Sequence, residues 1–365
     1  MILDKIILQN FRNYVKEEFN FKKGINIIIG NNAQGKTNLL EGIHYLSNLK
    51  SHRSYNDSNL INENFKISKI KAIIKNDTNK NNIVIKIYDN KKEITVDNNN
   101  INTIEYNNII NTVIFFPEDL EIVKGYPEIR REYLNNQISN LNKEYKKLLN
   151  EFNKILKMRN DWLKRKILGE SVDYEYFKII NDYYIKRSAK IYYFKNKYIF
   201  KINEKIDDIY YSLSNNKGLK IKYITDIDMS DDLKIIEKSL LEKMIYQEKK
   251  EFSVGKTLIG PHRDELLFLL DNINIKEKGS QGQQRMAVLA YKFAELSIFK
   301  DVKNKNSILL LDDVFSELDI SKNKNLLKLI EKFDQVIITT TDLKKINIDK
   351  EKINIIKIKN GKKEN

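Results

Sequence analysis

Apolar residues change their spacing several times along the chain, and each change predicts a different element. Met1 to Gln9 alternates apolar and polar positions, the two-residue period of a half-buried strand, and Ile25 to Ile29 is a short run of the kind buried on both faces. Lys36 to Leu49 switches to helical spacing, so the opening reads strand, glycine turn, helix. From Ile67 to Val96, β-branched runs separated by asparagine-rich turns such as Asn79 to Asn82 predict antiparallel strands.

From Leu134 the apolar positions recur at alternating four- and three-residue steps through Ile138, Leu141, Tyr145, Leu148, Phe152, Ile155 and Trp162, a seam broken only at Arg159. A second series follows at Phe177, Ile180, Tyr184, Ile191, Phe194, Tyr198 and Ile202, with Gly169-Glu170-Ser171 as the turn between them. The pair predicts an antiparallel helical hairpin, an arm of modest length. A further helix begins at Ser230 as N-cap, runs through Leu233, Leu240 and Met244, and is expected at the base of the arm. Strand-like runs return at Ser307 to Leu311, Gln335 to Thr339 and Ile353 to Ile358.

Composition narrows the class. With 365 residues, 41% hydrophobic and 32% charged, the chain can bury a large core and reads as soluble and globular. It has no cysteine, which excludes disulfides and thiolate metal sites, and only three histidines, His44, His52 and His262, whose spacing favours structural roles. The first residues carry no secretion signal and no run reaches the roughly 20 apolar residues that span a bilayer, so a cytoplasmic location without membrane contact is expected. A net charge of +15 points to an anionic partner, although lysine, asparagine and isoleucine abound throughout, as in a chain encoded by AT-rich DNA.

Gly30-Asn31-Asn32-Ala33-Gln34-Gly35-Lys36-Thr37 follows a predicted strand and opens a predicted helix, the context in which GxxxxGK with Ser or Thr next makes a phosphate loop. Its backbone N–H groups point inward at phosphate oxygens, Lys36 reaches the β- and γ-phosphates, and Thr37 ligates magnesium. The apolar strand Ser307 to Leu311 ends in Asp312 and Asp313: the first suits the magnesium shell, and the second stands where a general base polarises the attacking water. Lys36 and Asp313 are thus the candidate catalytic residues, with Thr37 and Asp312 as metal ligands.

Ser280-Gln281-Gly282-Gln283-Gln284-Arg285 precedes a further helix and resembles the signature of ABC-type ATPase heads. In such heads the signature meets the γ-phosphate bound to the other subunit, which implies an ATP-dependent homodimer. Ser316-Glu317-Leu318-Asp319 looks like their D-loop, with Ser316 and Asp319 as its candidate residues. Thr339-Thr340-Thr341-Asp342 puts threonine where transporter subunits place a histidine switch. That departure, and Asp313 where most such heads have glutamate, implies slow hydrolysis.

Further segments are similar to the RecF family, relatives of SMC heads: Asn10 to Tyr14, Lys36 to Glu41, Ser51-His52-Arg53, Phe116 to Leu120, Val123 to Gly125, Gly260 to Asp264, Ser280 to Arg285 and Thr339 to Asp342. The resemblance implies an α/β, ABC/SMC-like ATPase head. Lobe I would comprise 1–125, with the phosphate loop, and 255–365, with signature, second nucleotide motif and D-loop. Lobe II would be the helical insertion 126–254 with its coiled-coil arm. It also implies ATP and Mg2+ as cofactors, with nucleotide contacts extending to Asn38 and Arg53. Arg53 and Arg12 are candidates for nucleotide contact, with surface salt bridges as the alternative for both. The implied role is a weak DNA-dependent ATPase of recombinational repair that binds gapped, single-stranded and duplex DNA and helps load RecA with RecO and RecR. Arm residues Lys143, Lys146, Lys147, Lys164, Arg165 and Lys166 are candidate phosphate contacts. The main rival is a transporter's ATP-hydrolysing subunit, against which stand the helical insertion, the threonine run and the basicity; the other rivals are a nuclease-linked ATPase head and a non-hydrolysing DNA clamp.

Overall fold

A computed structural model describes all residues except 52, 55, 76–78, 104, 107–109, 305, 344, 345, 347, 349, 350, 352 and 365, and the backbone but not the side chain of 48. His52 therefore lies outside the described residues. In chain order the elements are β1 (Ile2–Phe11), β2 (Tyr14–Asn20), β3 (Gly24–Ile29), α1 (Lys36–Asn48), β4 (Ser68–Lys75), β5 (Lys80–Ile87), β6 (Lys92–Val96), β7 (Asn99–Ile101), β8 (Thr112–Phe115), α2 (Glu121–Lys124), α3 (Pro127–Leu141), α4 (Lys143–Ile167) and α5 (Tyr174–Ser214). They continue with β9 (Leu219–Ile224), α6 (Leu233–Val254), β10 (Glu265–Leu270), β11 (Ile273–Asn274), α7 (Ile275–Lys278), α8 (Gln281–Lys303), β12 (Ile308–Asp312), α9 (Ile320–Ile330), β13 (Gln335–Thr340), β14 (Ile353–Lys359) and β15 (Lys362–Glu364). Among the described residues no helix is long and apolar enough to cross a membrane.

The chain forms two compact units, one of residues 1–119, 212–215 and 299–365, the other of 120–211 and 216–298. This differs from the expected segments, which assign Ser280 to the same lobe as Asp312. Contacts between segments distant in sequence, which spacing does not reveal, put residues 255–298 into the second unit.

In the first unit a six-stranded sheet runs β15-β14-β3-β13-β12-β8, parallel except for β15. Its central strands β12 and β13 are buried along their whole length, which is why they read as continuous apolar runs rather than alternating ones. Each fully buried leucine or isoleucine there stabilises the unit by about 2 kcal/mol. A second, antiparallel sheet runs β2-β1-β4-β5-β6-β7. Buried Gln335 on β13 ties the two sheets together, accepting from the Leu3 N–H at 2.8 Å and donating to the Leu3 carbonyl at 2.8 Å. The expected turn Asn79 to Asn82 is corrected: Lys80 to Asn82 already pair within β5, Asn82 opposite Ile73. Ladder bonds to β4 outweigh the weak intrinsic β-propensity of asparagine there.

In the second unit the three-stranded sheet β11-β10-β9 accompanies the helices. Helices α4 and α5 are antiparallel, with Trp162 stacked on Phe177 at 3.9 Å, Phe152 against Tyr184 and Tyr145 against Phe194. The single seam expected from Leu134 is broken at Asn142, whose side chain caps α4, and not at Arg159. Arg159 is 1% exposed and behaves as core because its charge is paired: it donates to Glu251 at 2.5 Å, Asn181 at 2.8 Å and Thr257 at 2.7 Å. Two further expectations change. Helix α6 is capped by Asp232 rather than Ser230, and it packs against α4 right up to the hairpin turn, where Phe252 joins Trp162 and Phe177. The arm is thus a three-helix assembly, since apolar faces of the hairpin would otherwise stay wet.

Candidate nucleotide site

Residues Asn32 to Asn38, Arg53, Pro117, Glu118, Asp312 and Asp313, all of the first unit, line a cleft of about 380 Å³. The loop between β3 and α1 takes its shape from two glycines. At Gly30 a Cβ would stand 2.4 Å from the Ile358 carbonyl oxygen, so the loop passes β14 at a distance only glycine tolerates. Gly35 has φ of 107° and sits against Asn13 and Tyr14, whose hydroxyl donates to the Gly35 carbonyl at 2.9 Å. Helix α1 carries no capping side chain and no acid in its first turn, so its positive end is left for an outside anion.

Buried Lys36 folds back along the loop and donates to the carbonyls of Gly30 at 2.5 Å and Asn31 at 2.8 Å. Burial holds its ammonium below the usual lysine range, opposed by the charges of Asp313 and Asp312. Thr37 donates to Asp312 at 2.8 Å, joining the loop to the end of β12. The other Asp312 oxygen accepts from Thr339 at 2.5 Å, because β12 and β13 pair in parallel with these two residues opposite each other. Burial raises the Asp312 carboxyl above its usual range, and the Thr339 and Thr37 hydrogen bonds pull it back.

Asp313 adopts a left-handed backbone, φ 48°, tolerable for aspartate, and its N–H donates to the Thr339 hydroxyl at 3.0 Å. Its Oδ1 is buried with no hydrogen-bond partner among the described residues. An unsatisfied buried carboxylate oxygen is a cost that functional sites characteristically retain. Among the described residues no cluster of three acidic or histidine side chains forms a metal cage. The Thr37 hydroxyl and the Asp312 carboxylate nevertheless offer the sparse oxygen set suited to a magnesium ion that keeps waters and phosphate oxygens as its other ligands.

Arg53 reaches the cleft beside Asn38, its guanidinium 3.4 Å from the Asn38 side-chain oxygen. Arg12 does not line the cleft. It grips fully buried Glu41 through two hydrogen bonds of 2.7 and 2.9 Å, an ion pair that anchors α1 to the end of β1. His44 contacts Thr112, and His262, half-buried, is held at a pKa of about 4 by desolvation, in keeping with structural roles. The signature residues Ser280, Gln281, Gly282 and Gln283 stand in the second unit. Ser280 is exposed and closes a capping box at the start of α8: its hydroxyl accepts from the Gln283 N–H at 3.2 Å, and its own N–H donates to the Gln283 side chain at 2.8 Å. Ser316 donates to the Asp313 carbonyl at 2.7 Å, and Asp319 caps α9. The residues that spacing alone did not single out are Tyr14, Glu118 and Thr339 as the partner of both aspartates. Thr339 had a signal, its place at the end of an apolar strand, but the strand order was needed to read it.

A parallel sheet with a phosphate cradle at the carboxyl end of β3 and two aspartates at the end of β12 defines a nucleotide-binding head. The family described as RecF/RecN/SMC N terminal domain matches residues 2–364. The DNA replication and repair protein RecF of Clostridium kluyveri is 37% identical over 368 residues, covering 98% of each chain, and that of Geobacillus kaustophilus is 35% identical over 355. A solved structure of the recombination mediator protein RecF with ATPrS, from the RecFOR pathway, superposes with a TM-score of 0.87 at 33% identity, covering 100% of this chain and 97% of that one. An Smc head bound to the C-winged helix domain of ScpA shares the fold alone, at 0.56 and 18%. The chain belongs to the RecF family of DNA replication and repair proteins, and its fold is the ABC/SMC-like head expected from the sequence.

Proposed function

We propose that this chain is an ATP-driven DNA-binding switch of recombinational repair, in which two copies close on two ATP molecules and on DNA, and slow hydrolysis reopens them. The observation that carries the reading is the complementary state of two helix ends: the α1 end lies open beside Lys36, and Ser280 displays an exposed hydroxyl at the start of α8. Lys36 leaves its loop carbonyls for the β- and γ-phosphates, while loop N–H groups and the α1 end hold the remaining oxygens. Thr37 and Asp312 hold magnesium, which supplies charge neutralisation at the phosphates when bound. Asp313, with its unpartnered oxygen, orients the attacking water and takes its proton. Arg53 and Asn38 flank the nucleotide, and Ser280 to Gln283 of the second copy cover the γ-phosphate.

The net charge of +15 supports DNA as the macromolecular partner, held through its phosphates and therefore salt-sensitively. The solved relative is a recombination mediator of the RecFOR pathway, which supports RecR and RecO as partners. Gapped DNA as the target and RecA as the protein ultimately served complete the proposal. The test is sedimentation with ATP and with ADP for wild type and Ser280→Arg. Wild type should be dimeric with ATP and monomeric with ADP, and the variant monomeric in both while still binding ATP. Equal mass with either nucleotide would overturn the switch.

A further inference from the structure

Beyond cleft and signature, the solvent face of α5 has no role assigned so far. At about 100° per residue, Tyr183, Lys186, Lys190, Lys197, Phe200 and Lys201 fall on one side of the helix. Between Tyr183 and Lys201 the chain has no acidic residue; Asp182 and Glu204 stand just beyond the two ends. Lys186, Lys190 and Lys201 are exposed and make no ion pair with any described residue. The opposite face, with Tyr184, Ile191, Tyr198 and Ile202, is buried, so the helix has its core contacts already.

The aromatic positions need another explanation. Phe200 is 65% exposed and Tyr183 52%, large rings left mostly in water. Cations sit with the rings: Lys197 lies 4.4 Å from the centroid of Tyr193, and Arg187 lies 5.6 Å from that of Tyr183 while also reaching Glu151 at 3.2 Å. Asp231 is the acid that faces Lys197.

We infer that this face of α5 is a platform for single-stranded nucleic acid, an inference that rests on the DNA-binding reading above. Free lysines spaced along about 22 Å of helix track a phosphate backbone, and exposed rings near the two ends of that row stack on bases that a single strand presents and a duplex hides. A second copy of the same face is a poor occupant, since lysines would oppose lysines. An acidic protein would satisfy the lysines and leave the stacking capacity of the rings unused.

The experiment measures binding of an oligothymidylate and of a mixed-sequence duplex of equal length by anisotropy, over a salt series with MgATP. It compares the full chain, Lys186→Gln/Lys190→Gln/Lys201→Gln, and Tyr183→Ala/Phe200→Ala, after circular dichroism and ATP turnover confirm intact folding. The lysine variant should lower the salt slope for the single strand by about 2. The aromatic variant should weaken the single strand roughly tenfold per ring and leave the duplex near wild type. Wild-type affinity in both variants would overturn the platform and leave an acidic protein as occupant, and equal loss for duplex and single strand would overturn stacking. If wild type itself binds neither DNA, the failure belongs to the DNA-binding reading.

Discussion

Helices α1 and α8 both begin after a glycine-containing polar loop, yet their first turns are in opposite states. At α1 the residue before the helix is Gly35, with no side chain to cap, and the turn's donors are left over within a narrow, partly buried cleft. At α8 Ser280 and Gln283 satisfy each other, with Ser280 exposed and Gln283 half-buried. An uncapped helix end surrounded by a lysine and a hydroxyl is incomplete without an anion; a self-capped exposed end is stable alone and can accept a partner later. The difference matches the proposed division of labour, in which the α1 end binds ligand in a single chain and the α8 end adds to it only on assembly.

The sharpest way to break this comparison lies in the cleft. Asp313→Asn keeps the shape but cannot take a proton, and should lower turnover roughly 10²- to 10⁴-fold with ATP affinity near wild type. Single-turnover phosphate release beside equilibrium nucleotide binding separates the two quantities. Unchanged release would remove Asp313 from the chemistry and make its unpartnered oxygen a packing accident.

Next in size is the backbone of the cradle. Gly35→Ala meets both a left-handed φ and atoms of Asn13 and Tyr14 at 2.7 and 2.9 Å, which should cost about 1–2 kcal/mol in urea unfolding and weaken nucleotide binding as well. Ser280→Ala should cost less, about 1 kcal/mol, and leave binding to the single chain intact. If Ser280→Ala weakened monomer ATP binding as much as Gly35→Ala, the two helix ends would not divide the work as proposed.

Why the phosphate loop is legible in the sequence and the rest of the cleft is not follows from distance along the chain. Gly30 to Thr37 is contiguous, so spacing alone announces its shape, and the apolar strand before Asp312 announces a buried parallel strand. Thr339 meets Asp312 only through the register of β12 and β13, and Arg159 finds Glu251 across 92 residues. A paired buried arginine therefore looks like a break in a seam when its partner is unknown. Ser230 and Asp232 are both good caps, and only geometry chooses between them. The hairpin itself was legible, because two apolar series flanking a glycine turn leave few alternatives.

The smallest effect expected is a gain. Because burial raises the Asp312 carboxyl above its ordinary range, the folded chain binds a proton there more readily than the unfolded one, and stability falls as pH rises through the window between the ordinary and the raised value. The penalty is fully present above that window and vanishes below it. Asp312→Asn cannot ionise and escapes the penalty, so without nucleotide it should melt above wild type at neutral pH, with the gap closing as pH falls through the window. With MgATP the order should reverse, since only wild type then gains the stabilisation of a ligand held through this carboxylate. A variant that melts below wild type at pH 7 without nucleotide would mean that the hydrogen bonds from Thr37 and Thr339 outweigh burial, and Asp312 would then be a structural anchor of the cleft before it is anything else.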